Sequence, residues 1–151
     1  MYEFQVRKIE NLMQYDLSDL AAEGKKDGFR FLERLIRDYD DGSNTFSDCG
    51  EAIYGVFNKE RVIIAIGGLN VNPFSYEQRI ARLRRFYVSK AYRRKGVGRL
   101  LLNNIKSYAK MNFDVLVLHT DTKQGDQFYT SFGFTKADKY SNSTHYLMLK
   151  E

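Results

Sequence analysis

Residues 87–105 read YVSKAYRRKGVGRLLLNNI. Two glycines, Gly96 and Gly98, stand among Arg93, Arg94, Lys95 and Arg99, and an apolar helical pattern starts directly behind them. Upstream, ARLRRFYVS (81–89) has the alternation and aromatic content of a strand that ends near Ser89. Downstream, Val97, Leu101, Ile105 and Tyr108 fall at helical spacing, with Leu100 and Ala109 widening the stripe. The leading N–H groups of a helix have no internal partners, and the helix dipole adds partial positive charge there. Such an end attracts anions, phosphate above all. Glycine lets ligand oxygens come close to the backbone and opens dihedrals closed to other residues. A solvated basic turn would also suit these residues. A diphosphate accounts for the glycines and the cations together.

The chain has 151 residues, the size of one domain, and a single domain over residues 1–151 is expected. Its longest apolar run, VIIAIGGL (62–69), is too short to span a bilayer. The opening MYEFQVRKIE has neither the basic head nor the apolar stretch of a signal peptide, so a cytoplasmic location with no membrane partner is expected. Cys49 is the single cysteine, which excludes an internal disulfide, and His119 and His145 lack metal-ligand spacing. Metal chemistry is not expected. The formal net charge of +5 points to an anionic partner: nucleic acid, a membrane surface or a phosphorylated small molecule.

Reading outward, a strand is expected over about Glu3 to Ile9, then helices over about Asp16 to Glu23 and Gly28 to Asp40. The second helix presents Phe29, Leu32, Ile36 and Tyr39 on one face and breaks at DDGSN (40–44). Strands follow near Glu51 to Phe57, Arg61 to Leu69 and Arg79 to Ser89, the last two joined by a loop holding Pro73. Beyond the helix at Gly96, DVLVLHT (114–120) reads as a strand covered on both faces. A short helix from about Gln124 to Ser131 stops at Gly133, and FTKADKY (134–140) and THYLMLK (144–150) close the chain as strands. The pattern is an α/β domain on a mixed sheet, and its carboxy-terminal edge strands leave room for a homodimer.

The R-x-x-G-x-G of Arg93 to Gly98, set between the FYVS strand and the helix, resembles the coenzyme A signature of the GCN5-related N-acetyltransferase (GNAT) superfamily. QFYTSFGF (127–134) resembles that family's second motif, F-Y-x-x-x-G-F on the helix after the fifth strand. Together the motifs cover the carboxy-terminal half, and the expected elements fit the family's fold across nearly the whole chain. The resemblance implies a mostly antiparallel sheet of about seven strands with four helices, splayed between strands four and five. It implies acetyl-CoA as co-substrate and direct acetyl transfer to a primary amine of a small molecule or peptide. Arg93, Arg94, Lys95, Gly96, Val97, Gly98 and Arg99 would then hold the diphosphate. Phe86, Tyr87 and Val88 would pair with the pantetheine arm and supply an N–H to the thioester carbonyl, and Tyr129 would be the general acid. Thr122 stands where many relatives have asparagine and keeps one donor; Gly125 stands where they have alanine.

One departure bears on the chemistry. Relatives often carry a glutamate base six residues before the valine of YVS, and this chain has Arg82 there, followed by Arg84 and Arg85. Arginine cannot take a proton. Glu51 is a candidate substitute base, with an exposed strand-end charge as the alternative; a water relay or an amine already deprotonated would also serve. Strand alternation puts Arg82 and Arg84 on one face and Arg85 on the other. Arg82 and Arg84 are candidate receptors for a carboxylate or phosphate on the acceptor; the alternative is an ion pair with Glu51, Asp48 or Glu33. The acids Asp38, Asp40 and Asp41, beside Phe29, Phe31, Tyr39 and Phe46, would instead favour a cationic amine. Two rival functions follow. The missing strand glutamate suits a catalytically silent CoA-binding or interaction module. RLRRFY and YRRKGVGR suit nucleic-acid binding, against which the cations cluster at a single strand–helix junction.

Overall fold

In the computed structural model, which describes residues 4–77 and 79–150, strands drawn from nearly the whole length of the chain form one seven-stranded sheet. Its strands are β1 (Gln5–Lys8), β2 (Ala52–Phe57), β3 (Ile63–Val71), β4 (Ile80–Val88), β5 (Val115–Leu118), β6 (Thr135–Lys136) and β7 (His145–Met148), in the order β1-β2-β3-β4-β5-β7-β6. Helices α1 (Ser18–Lys26), α2 (Phe31–Asp40), α3 (Val97–Ala109) and α4 (Lys123–Phe132) complete it. Every neighbouring pair is antiparallel except β4 and β5. This is the mixed, mostly antiparallel architecture expected. Glu3, the expected start of the first strand, lies outside the described residues.

Burial explains the layers. On one face α3 buries Val97, Leu101, Leu102, Ile105 and Ala109 against Val56, Ile64, Leu69 and Leu116. On the other, Leu20 of α1 and Leu32 and Leu35 of α2 pack on Ile53, Phe57 and Ile66. The apolar stripe of α2 therefore centres on Leu32 and Leu35, while Phe29, Ile36 and Tyr39 are only partly buried. The expected closing strand FTKADKY pairs only at Thr135 and Lys136, because the chain turns back to β7 within a few residues, with the Ala137 N–H on the Thr144 carbonyl (3.0 Å).

The most consequential irregularity lies between β3 and β4. Gly68 faces Arg84 and Ile66 faces Tyr87, so three steps along β4 match two along β3. The extra residue is a β-bulge, and Arg85 takes φ 57°, in the left-handed region. Alternation changes phase there. The Arg85 guanidinium lies 3.7 Å from Asp38 on α2, the same acid whose field acts on Arg84, so the expected division of Arg84 and Arg85 between opposite faces is corrected. Gly67 and Gly68 make room for the bulge. A Cβ on Gly67 would lie 2.9 Å from Phe86 and from Ile105, and one on Gly68 would meet the Phe46 ring.

Gly67→Ala should therefore lower stability by about 1–3 kcal/mol, the usual cost of overpacking. Urea unfolding checks this, and an unchanged midpoint would show that the glycine pair is not what admits the bulge.

Candidate functional site

β4 pairs with β5 only through Ile80, Ala81 and Arg82, which face Val115, Leu116 and Val117. β5 ends at Leu118 while β4 runs on to Val88, so residues 83–88 present an edge with no β5 partner. Aromatic bulk from α4 stands at this gap: the Phe86 ring lies 5.8 Å from that of Phe128 and 6.1 Å from that of Tyr129. Tyr129 is 9% exposed and also touches Phe134 and His145. Burial pushes its phenol well above the usual tyrosine range, so it stays protonated. Its hydroxyl bonds to no protein group among the described residues and is not sealed from solvent. Behind it, buried His145 ties β7 to α4, with Nδ1 2.7 Å from Thr144 Oγ1 and Nε2 2.7 Å from Asp126 Oδ1.

At the outer end of the gap α3 begins. Gly96 sits at φ 80°, which favours glycine, and Arg94 at φ 62°. The first amide of the helix to find a carbonyl is that of Leu100, on Gly96 (3.0 Å), and the first turn holds no acid. Val97, Gly98 and Arg99 thus open the helix with N–H groups free to meet an anion. Gly98 is there for closeness: a Cβ would lie 3.3 Å from the Phe128 ring and 3.5 Å from Val88. Arg94, Lys95 and Arg99 are exposed around this point. These residues fit the diphosphate of coenzyme A.

The acetyltransferase (GNAT) domain model matches residues 51–136, more than half of the chain. The chain belongs to the GNAT acetyltransferase family. A crystal structure from Exiguobacterium sp. 255-15, described as an acetyltransferase, is 29% identical with a TM-score of 0.85, covering 97% of this chain and 93% of that one. A GNAT-family acetyltransferase from Staphylococcus aureus Mu50 shares the fold at 18% identity and a TM-score of 0.74, covering 98% and 100%. A mutant of the AtaT toxin, solved with the C-terminus of the antitoxin AtaR and acetyl-CoA, shares it at 13% identity and 0.72, covering 97% and 93%. No curated protein matches the sequence. No described helix is long and apolar enough to cross a membrane.

At the junction of β4 and α3 in this GNAT domain, Arg93 differs from its neighbours. Its Nε donates to the Val88 carbonyl (3.0 Å), and its guanidinium lies over the Tyr87 ring and 3.5 Å from Asp27. It braces the strand–helix junction. Tyr87 turns its side chain away from α3 and donates to Glu23 (2.8 Å), which also accepts from Ser89 Oγ and the Lys90 N–H. Lys90 Nζ lies 2.6 Å from Asp27 and its hydrogen bond holds that carboxyl below the usual range. Glu23 and Asp27 thereby latch α1 to the junction. Sequence reasoning missed both, and only their four-residue spacing on one helix face hinted at a shared task. Thr122 caps α4 by accepting from the Gly125 N–H (2.9 Å), and its hydroxyl also lies 3.5 Å from that of Thr120.

On the opposite face, Arg82 is 5% exposed. Its Nε donates to Asn72 (3.1 Å) and its Nη2 to the Asn142 carbonyl (2.8 Å), the Ser143 hydroxyl (2.9 Å) and the Ser141 carbonyl (3.3 Å). Burial brings its pKa down to about 10. Among the described residues no acid pairs with it, so for Arg82 the alternative of an ion pair with Glu51, Asp48 or Glu33 gives way to neutral oxygens. Glu51 is buried rather than an exposed strand-end charge, and accepts from the Val71 N–H (2.9 Å), Asn70 (3.0 Å) and the Asp48 N–H (3.1 Å). Arg85 reaches to 3.7 Å from Asp38 on α2, and the charges of Asp38 and Glu51 act on Arg84.

Gly125 explains one departure from the family pattern. A Cβ there would run into the Thr120 hydroxyl and sit 2.9 Å from Thr122 Oγ1. Gly125→Ala should break the Thr122 cap, lower the melting temperature and weaken acetyl-CoA binding; a thermal scan with and without acetyl-CoA checks it, and an unaltered melt would remove the steric argument.

Proposed function

We propose that this GNAT protein, acting as a single domain, moves an acetyl group from acetyl-CoA to a primary amine of a small molecule or peptide. The Tyr129 hydroxyl carries the reading: kept neutral by burial, without a hydrogen-bond partner among the described residues and set beside the gap in the sheet. When bound, the co-substrate supplies an activated acetyl thioester. The amides of Val97, Gly98 and Arg99 would hold its diphosphate, with Arg94, Lys95 and Arg99 adding charge and Gly96 giving the backbone its turn. The unpaired edge at Phe86, Tyr87 and Val88 would receive the pantetheine arm and aim an N–H at the thioester oxygen, where fixed donors act most strongly. Thr122 would donate one further hydrogen bond, and Tyr129 would give its proton to the departing sulfur.

Removal of the amine proton is the remaining step. Three donors already occupy the Glu51 carboxylate, which favours a structural role over that of base. The acceptor then reacts as the fraction already neutral; after attack its nitrogen gives up one proton to solvent, solvent returns one to Tyr129, and kcat/KM should climb with pH toward the amine pKa of roughly 10. Glu51→Gln should keep that limb while melting at lower temperature. Loss of the limb would make Glu51 the base after all.

Tyr129→Phe should cut turnover by roughly a hundredfold or more, the usual scale of acid–base assistance, with acetyl-CoA affinity intact. Thiol release and calorimetry read the two separately. Acetyl-CoA binding with no thiol released against any amine of a broad panel would establish the silent CoA-binding module instead.

A further inference from the structure

Arg84 is half-buried in the middle of the sheet and, among the described residues, makes no hydrogen bond or ion pair with the protein. Arg85 beside it is 14% exposed at its side chain and has one distant contact, 3.7 Å to Asp38. Asp38 is shared, since Arg37 lies 3.3 Å from it. The groups acting electrostatically on the pair are Arg34, Arg37, Asp38 and Glu51. With Arg84 and Arg85 themselves, four cations face two carboxylates. Buried charge is normally paired, because desolvation costs several kcal/mol for each uncompensated ion. Arg82, two residues earlier, shows how this fold satisfies a guanidinium it keeps for itself, with four protein oxygens. Arg84 has none.

Position gives the surplus a purpose. α3 and α4 cover one face of the sheet at the gap, which is the face that meets the diphosphate. Arg84 lies toward the other face: it is opposite Gly68, where a Cβ would meet Phe46, and the charge of Asp38 on α2 acts on it. Along β4 it is two residues from Phe86, on the other side of the bulge at Arg85. Phe86 in turn touches Tyr129. A molecule reaching the reaction point from the face opposite the cofactor passes Arg84 and Arg85. A guanidinium fork is matched to a planar or tetrahedral oxyanion and binds it through charge-assisted hydrogen bonds.

We propose that Arg84 and Arg85 form an oxyanion-binding subsite for the acceptor, so that the acceptor is an amine bearing a carboxylate or phosphate a few bonds from its nitrogen. The inference rests on the transferase reading and narrows it. It also assigns to Arg84 the substrate role for which Arg82 was an equal candidate, and it runs against a polycationic acceptor.

The test compares thiol release from acetyl-CoA with three matched acceptors on one carbon skeleton: the bare amine, the amine with a carboxylate, and the amine with a phosphate. Wild type, Arg84→Gln, Arg84→Lys and Arg85→Gln are compared, with the melting temperature of each ligand-free variant as a second readout. Wild type should favour an oxyanion-bearing acceptor by about ten- to a hundredfold in kcat/KM, the range a charged hydrogen bond supports. Which arm wins identifies the oxyanion. Arg84→Gln should erase the preference through acceptor KM, leave acetyl-CoA KM unchanged and melt no lower than wild type, because it removes a charge that has no protein partner; Arg84→Lys should restore part of the preference. Preference for the bare amine or a polyamine, survival of the preference in Arg84→Gln, or a lowered melt in that variant would overturn the subsite while leaving the transferase reading standing. Failure of wild type to bind acetyl-CoA by calorimetry would instead bring down the transferase reading, and the subsite with it.

Discussion

Two parallel strands part company after Arg82, and the candidate chemistry is arranged around that parting. Backbone N–H and C=O groups must find partners, so an unpaired edge in the middle of a sheet persists only if something prevents closure. Here β5 ends at Leu118 and the chain turns into α4, whose Phe128 and Tyr129 stand beside Phe86 on one face of the opening. The bulge at Arg85 puts Phe86 on that side, and Gly67 lets it lie there. A free strand edge, a buried neutral phenol and an open helix end therefore come from one local decision in β4.

The net charge of +5 divides into parts with different surroundings. Arg94, Lys95 and Arg99 are exposed at the front of α3, where solvent screens them and a flexible diphosphate can be met at little desolvation cost. Lys90 and Arg93 are engaged by Asp27 and serve the junction itself. Arg84 and Arg85 are half-buried on the far side of β4, where burial depresses both guanidinium pKa values and an anionic partner has more effect. Clustering of like charge at two ends of one cleft suits a pair of small anionic molecules better than an extended polyanion.

Much of this was legible in the sequence because the relevant residues obey local rules. Gly96, Gly98 and the stripe of Val97, Leu101 and Ile105 define a strand–turn–helix junction by spacing alone, and the Phe128–Tyr129 pair with Gly133 places α4. DVLVLHT read as a strand covered on both faces, and all four residues of β5 are buried. What escaped depends on partners distant in the chain. The bulge exists because β3 offers two glycines opposite it, so simple alternation put Arg85 on the wrong face. Arg82 is satisfied by carbonyls some sixty positions later, Glu51 by Asn70 and the Val71 amide, and the α1 latch by Tyr87 at the end of β4 with Ser89 and Lys90 just after it. Leu35 was overlooked because the α2 stripe was drawn one step around the helix.

The most direct test of the central claim follows backbone amides by nuclear magnetic resonance while coenzyme A is titrated into the protein. Resonances of Val97, Gly98 and Arg99, and of the free β4 edge at Phe86 to Val88, should move together and saturate with one ligand per chain, and those amides should exchange with solvent more slowly in the complex. Saturable movement confined to other parts of the molecule, or none at all, would contradict the assignment of this opening between strands to the cofactor.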